Sequence, residues 1–334
     1  MAEFTLDFPY AHGKPNLSGC LRTEDADFVV REMMPENFFQ AGEHVCVQIE
    51  KTGQNTAFVA RRLANFAGVR EMDVGYCGLK DRHAITTQWF SVYFGKRPQP
   101  DWQRWSLDST KILQRATHKS KLRRGDHLGN EFEIVIRKVG SGRAGEMDLV
   151  RSEIEARLCK LERFGAPNYF GEQRFGHHFH NLQLASQWFR GEKRMKVSAG
   201  AMYVSAARAY LFNHLLANRV EEGKWDTVID GDVTAENGEA LGSLFGDGTF
   251  PESDQAMQRI TQVTDAHPLL AAGLRDNRIR IQHRPFVLQP KRLKWHWEND
   301  NLCVSFCLPV GAFATTLLRE AIDYTDLKRD QDTK

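Results

Sequence analysis

No CxxC pair occurs in this chain. Its six cysteines, Cys20, Cys46, Cys77, Cys159, Cys303 and Cys307, are dispersed. That argues against a disulfide framework and against a zinc site built on paired cysteines, and leaves reduced thiols as the expectation. No run of about 18 apolar residues occurs either, so a spanning helix is not expected. Residues 1–14 mix Glu3, Asp7 and His12 among apolar neighbours and lack the basic start and apolar centre of a secretory signal. A soluble, cytoplasmic protein is expected. Low-complexity tracts and internal repeats are missing too, and 41% hydrophobic with 26% charged residues is an ordinary globular composition. What is present is length: 334 residues, at roughly 150 per domain, predict two domains.

The net charge of +2 conceals an uneven distribution. Thr110 to Gly125 holds six bases (Lys111, Arg115, Lys119, Lys121, Arg123, Arg124) and no acid. Arg275 to Lys294 holds seven bases against Asp276 alone, whereas Glu221 to Asp254 holds ten acids and one base, Lys224. Two cationic segments flanking an acidic one permit a nucleic-acid surface, although either run alone also fits a solvated charged face.

Val45, Val47 and Ile49 alternate with polar neighbours over His44 to Lys51, which predicts a strand. Asn55 or Thr56 then caps a predicted helix with Phe58, Val59, Leu63, Phe66 and Ala67 on one face, ending at Gly68. Thr86 to Phe94 and Glu131 to Val139 read as strands, the second preceded by a turn at Gly125 to Asn130. After a glycine-rich connection at Gly140 to Gly145, Val150, Ile154, Leu158 and Leu161 repeat at helical spacing from Glu146. Gly165-Ala166-Pro167 marks a boundary. Beyond it, Ala201 to Glu222 reads as helix, Asn301 to Leu308 as strand and Thr315 to Tyr324 as helix. Because the strands of the first half lack regularly intervening helices, the pattern is α+β and largely antiparallel. The two ends read as one domain and the middle as another inserted into it.

The densest polar cluster is Gly78-Leu79-Lys80-Asp81-Arg82-His83-Ala84. A lone Asp in such a loop is usually a turn-former. Lys80 and Arg82 would hold a partly buried Asp81 carboxylate ionised, but in an extended segment they project opposite to it, and a distant Arg takes that role instead. His177, His178 and His180 match no zinc spacing, so no metal is expected there. Tyr169, Phe170, Arg174, Phe175, His177 and His178 fall within ten residues. Such a mixture suits stacking on bases and pairing with phosphate, or equally a packed aromatic anchor.

The runs GLKDRHAITTQW (Gly78 to Trp89), LGNEF (Leu128 to Phe132), NYFGEQRFG (Asn168 to Gly176) and GAFATTLLRE (Gly311 to Glu320) together resemble the TruD family of tRNA pseudouridine synthases. The resemblance spans about residues 20 to 322. It implies a discontinuous catalytic domain at 1–166 and 288–334, with a mixed, mainly antiparallel sheet flanked by helices, interrupted by an inserted α/β domain at 167–287. The family's catalytic aspartate falls on Asp81 with its lysine neighbour on Lys80, and the base-contacting positions fall on Phe28, Asn130, Phe132 and Phe313. Phe132 stands where other pseudouridine synthases usually carry a tyrosine. Where the family tends to read Pro-Glu-Asp-Phe, this chain has Asp25-Ala26-Asp27-Phe28.

The implied reaction detaches uracil from ribose at N1, turns it and rejoins it through C5, so no redox change, ATP or cofactor is expected. Asp81 would act at the sugar, either by attack at C1′ or by taking a proton from C2′. The expected substrate is a uridine in the D-arm of tRNA, position 13. The expected phosphate contacts come from Arg115, Lys119, Lys121, Arg123, Arg124 and Arg174, and a monomer with no membrane partner is expected. The alternatives are an RNA-binding or RNA-folding module in which Asp81 is idle, and a pseudouridine synthase acting on other RNA.

Overall fold

The computed structural model describes residues 4–140, 147–194 and 197–328. The expected connection after Gly140 and the expected helix start at Glu146 lie outside them. Two compact units divide the chain. A sheet unit comprises Leu17–Val150, Pro290–Gly311 and Tyr324–Lys334, and a helical unit comprises Met1–Asn16, Arg151–Gln289 and Ala312–Asp323.

Strands β1 (Ser18–Leu21), β2 (Phe28–Met33) and β3 (His44–Thr52) precede helix α1 (Thr56–Ala67). β4 (Val74–Tyr76), β5 (Ile85–Tyr93), β6 (Thr110–His118) and β7 (Gly129–Gly140) follow. Then come α2 (Met147–Phe164), β8 (Ala166–Pro167), α3 (His180–Phe189), α4 (Val197–Glu221), β9 (Val233–Thr234) and β10 (Ala240–Leu244). α5 (Asp254–Ala266), α6 (Pro268–Asp276), β11 (Gln282–Pro285) and β12 (Val287–Leu288) lead to β13 (Lys291–Glu298), β14 (Asn301–Pro309), α7 (Ala314–Leu318) and β15 (Asp323–Asp326).

The large sheet runs β13-β14-β7-β2-β5-β3-β6, with β1 against β7 and β15, and β4 against β5. β2 and β5 are parallel, while β13–β14, β14–β7, β7–β2, β5–β3 and β3–β6 are antiparallel. This is the mixed α+β architecture anticipated from the alternating strands. Along β2 burial alternates strictly, with Phe28, Val30 and Glu32 inward. Along β3, Val45, Val47 and Ile49 point into a core shared with Val59 and Leu63 of α1 and with Phe90 and Val92 of β5. Phe58, expected on that helical face, is instead 39% exposed. It precedes Val59 by one residue and so sits about 100° round the helix.

In the helical unit Tyr210, Phe212 and Leu216 of α4 pack with Phe175, Leu182, Phe245 and Leu274. β9, β10 and β11 form a small antiparallel sheet. β8 pairs antiparallel with β12, Pro167 opposite Val287 and Ala166 opposite Leu288. The helix expected over Thr315 to Tyr324 is shorter: α7 ends at Leu318. Tight turns carry the chain through Ala321, and Tyr324 already belongs to β15. Leu317, Leu318, Ala321 and Ile322 are all buried, and that spacing imitates a longer helix. No described helix is long and apolar enough to cross a membrane.

Candidate active site

Asp81 lies on the loop that joins β4 to β5, two strands paired in register from Val74 opposite Val92 to Tyr76 opposite Phe90. Several contacts fix this loop. The Lys80 backbone N–H donates to Thr56 Oγ1 at the start of α1 (3.0 Å), and Gln88 Nε2 donates to the Gly78 carbonyl (3.1 Å). Lys51 Nζ donates to the Asp81 carbonyl (2.9 Å) and to that of Gln54 (2.7 Å). Lys51 is fully buried, and burial pushes its ammonium down to about 8 while the Asp81 charge opposes the shift. A loop held at several points can keep one carboxylate in a set position.

The Asp81 side chain is 32% exposed, and its Oδ2 lies 3.4 Å from Arg22 Nη2. Arg22 follows β1 in a left-handed conformation (φ 54°). Its guanidinium also pairs with Asp326, the last residue of β15, and lies 3.9 Å over the Phe28 ring. The cation beside Asp81 is therefore the distant arginine, one of the two arrangements open from the sequence. Arg82 is exposed.

Lys80 points elsewhere. Its ammonium sits 3.0 Å from Glu32 Oε1, with the two side chains 3% and 0% exposed, and donates to Asn130 Oδ1 at 2.7 Å. Glu32 Oε2 accepts the Trp89 N–H (2.9 Å). The buried pair thus ties β2, β5, the catalytic-loop candidate and Asn130 of β7 into one network. With its oxygen engaged, the Asn130 amide presents its NH₂ as donor. The LGNEF run owes its glycine to crowding: a Cβ on Gly129 (φ +155°) would lie 2.1 Å from the Leu308 carbonyl oxygen of β14.

Phe132 and Phe28 meet edge-to-face at 6.1 Å, and Phe132 stacks on Phe306 at 5.4 Å. Both are buried, Phe28 at 1% and Phe132 at 6% exposure. The turn before Phe28 is held by Asp27, whose carboxylate accepts from the Glu24 N–H and from Arg137 Nε, each at 2.9 Å. Phe313 belongs to the helical unit, half-buried at the N-terminus of α7, 6.3 Å from Phe170 and 5.8 Å from the Arg174 guanidinium.

Of the cationic residues, Arg115, Lys119, Arg123 and Arg124 are exposed. Arg115 lies on the sheet's edge strand β6, and Lys121, Arg123 and Arg124 line a cleft of about 410 Å³ with Arg61. Tyr169 and Phe175 are packed core residues, whereas His177, His178 and His180 are exposed. Sequence reasoning did not single out Arg22, Asp326, Glu32 or Lys51.

Beneath the loop, His127 is buried, and burial followed by repulsion from Lys80 pushes its imidazole down to about 4 from 6.5. On acidification the unfolded chain takes up this proton first, so stability falls as pH drops from 6.5 towards 4, by about 3 kcal/mol for this group. His214 in the helical unit shifts to the same value, mainly through burial, and acts in the same window. Urea unfolding at pH 7 and pH 4.5 should therefore show a smaller pH difference in His127→Asn than in wild type.

A carboxylate beside an arginine, on a clamped loop of a mixed sheet with an asparagine and a phenylalanine nearby, suits chemistry at a sugar carbon under an aromatic base. The family model for tRNA pseudouridine synthase D (TruD) matches residues 7–188 and 182–271. The tRNA pseudouridine synthase D of Vibrio parahaemolyticus is 36% identical over 99% of this chain and 100% of that protein. That of Marinobacter nauticus is 38% identical over 100% of this chain and 99% of its own length. A crystal structure assigned to tRNA pseudouridine synthase D from Methanosarcina mazei is similar in fold, with TM-score 0.66 and 19% identity, covering 94% of this chain and 95% of the other. The protein is thus of the pseudouridine synthase class, an isomerase of uridine. Within that class the chain belongs to the tRNA pseudouridine synthase D (TruD) family.

Proposed function

We propose that this chain converts uridine 13, in the D-arm of tRNA, to pseudouridine with Asp81 as the carboxylate acting at the ribose. The observation that carries the reading is the Asp81 side chain, partly open to solvent, set beside Arg22 on a loop anchored through Lys51, Thr56 and Gln88. The uridine leaves its stack, at a cost of a few kcal/mol. Arg22, 3.4 Å from Asp81 Oδ2, positions the carboxylate that attacks or accepts a proton. Phe132 and Asn130 hold the freed uracil by ring contact and by amide donation, with Phe28 backing Phe132 and Arg22. Lys80 acts through Asn130 and Glu32, which it holds in place. Residues 167–287 constitute the inserted domain, a reading supported by the antiparallel β8–β12 pair, which brings the two ends of that segment together, Pro167 opposite Val287. Mapping pseudouridine on a tRNA transcript incubated with the protein tests the assignment: modification at position 13 is expected, and modification only elsewhere refutes it.

Phe132→Tyr is expected to retain most activity and Phe132→Ala to lose most of it, since base–aromatic contact contributes roughly 1–3 kcal/mol. Truncating this buried ring also costs about 3–5 kcal/mol of stability, so a melting curve accompanies each rate. A folded, fully active Ala variant excludes the role.

The cationic run contacts tRNA phosphates on this reading, supported by the convergence of Lys121, Arg123 and Arg124 on one cleft. Replacing Arg123 and Arg124 with Ala should make the slope of log affinity against log salt shallower by roughly 1–2 units and spare the saturated rate. Affinity measured over a series of salt concentrations reads the slope. An unchanged slope assigns the run to a solvated face.

A further inference from the structure

The helical unit contains a cavity of about 640 Å³ with mostly apolar walls, among them Phe170, Trp188, Val204 and Leu244. Into this lining come two guanidinium groups, Arg208 and Arg284, with Ser205, and among the described residues that line it none is acidic. Arg174 joins them by donating to Ser205 Oγ at 3.0 Å. Its Nε, also buried, has no hydrogen-bond partner among the described residues. Arg208 is aimed by neutral acceptors, the carbonyls of Leu244, Phe245 and Arg280 and the Gln282 side chain. Arg284 lies 4.1 Å over Phe170 and donates to Asn168. Burial lowers the pKa of all three arginines, and Arg174 adds repulsion to Arg284, which is pushed down to about 9 and stays protonated at neutral pH. Mutually repelling cations gathered against aromatic rings form a site whose complement is an anion carrying a flat apolar group.

We infer that this cavity binds one unpaired nucleotide of the substrate RNA, its phosphate at Arg208 and Arg284 and its base against Trp188 and Phe170. The inference rests on the tRNA reading above and adds to it a point of recognition within the helical unit. The volume falls in the range of about 300–1,000 Å³ typical of small-ligand pockets, and an aromatic wall with arginines is the usual apparatus for an unstacked nucleotide. Gly200 of α4 permits the wall: a Cβ there would lie 3.1 Å from the Trp188 indole. The six-membered ring of the indole can therefore come close to the helix backbone.

Two substitutions test the site without removing a structural arginine. Trp188→Ala takes away the stacking surface, and Ala201→Trp fills the cavity from an exposed position on its wall. Each should raise the tRNA concentration giving half-maximal single-turnover conversion at least fivefold, with the saturated rate within twofold of wild type. Binding measured separately by filter retention should weaken by the same factor. If binding and half-saturation stay within twofold in both folded variants, the site is refuted. Competition separates free nucleotide from RNA. Millimolar AMP or UMP should weaken tRNA binding by wild type and have less effect on Ala201→Trp. Mononucleotide bound by the helical unit with no change in tRNA affinity overturns the assignment to RNA. Because binding is read independently of turnover, a wild-type protein that binds tRNA through this cavity but forms no pseudouridine contradicts only the catalytic reading.

Discussion

Asp81→Asn is expected to lower the single-turnover rate at least a thousandfold, a barrier increase of about 4 kcal/mol, while tRNA affinity stays within a few fold. The amide keeps the shape and partners of the carboxylate, and the loop is anchored by other groups: the Asp81 carbonyl on Lys51, the Lys80 N–H on Thr56 and the Gly78 carbonyl on Gln88. What disappears is the negative charge beside Arg22, and with it the nucleophile or base that the sugar requires. A loss confined to the saturated rate places Asp81 at the reacting atoms. An equal loss of affinity would instead make it a binding residue. Retention of more than about a tenth of the rate, some 1.4 kcal/mol, would remove it from the chemistry.

Glu32→Ala should be among the most destabilising single changes at the site. The pair it forms with Lys80 is almost wholly buried, and removing one partner of such a pair costs about 3–5 kcal/mol because an uncompensated charge remains. The Trp89 N–H also loses its acceptor. Adding Lys80→Met should recover part of the loss, since the double variant leaves no buried ammonium. Chemical denaturation of the two single variants and the double variant reads this directly. A double variant less stable than Glu32→Ala alone would show that Lys80 contributes through Asn130 more than through Glu32.

The backbone plan of the sheet unit was legible because its strands alternate. Val45, Val47 and Ile49, and likewise Leu302, Val304 and Phe306, fall on buried faces as their period of two requires. That same period, carried one step further, would have exposed two of the site residues that were missed. Glu32 follows Phe28 and Val30 on the inward face of β2, and Lys51 follows Ile49 on that of β3. A charged residue in phase with a buried face needs a partner, and each has one. Arg22 and Asp326 offered no such signal. They lie far from Asp81 in sequence and reach it through sheet pairing, information that local pattern does not hold. Asp81 itself was distinguished from a turn-former by motif resemblance. Its clamped loop and arginine are features that only tertiary structure displays. The shortness of α7 was likewise hidden, because tight turns bury the same apolar positions as a helix does.

Release of tritium from tRNA labelled at uracil C5 tests the central claim most directly. Rejoining the base through C5 must expel that hydrogen, so wild-type protein should release to water one equivalent of label for each uridine converted, and Asp81→Asn almost none. Tight binding of the labelled tRNA by wild-type protein with no release of label would contradict the account and leave an RNA-binding module in its place.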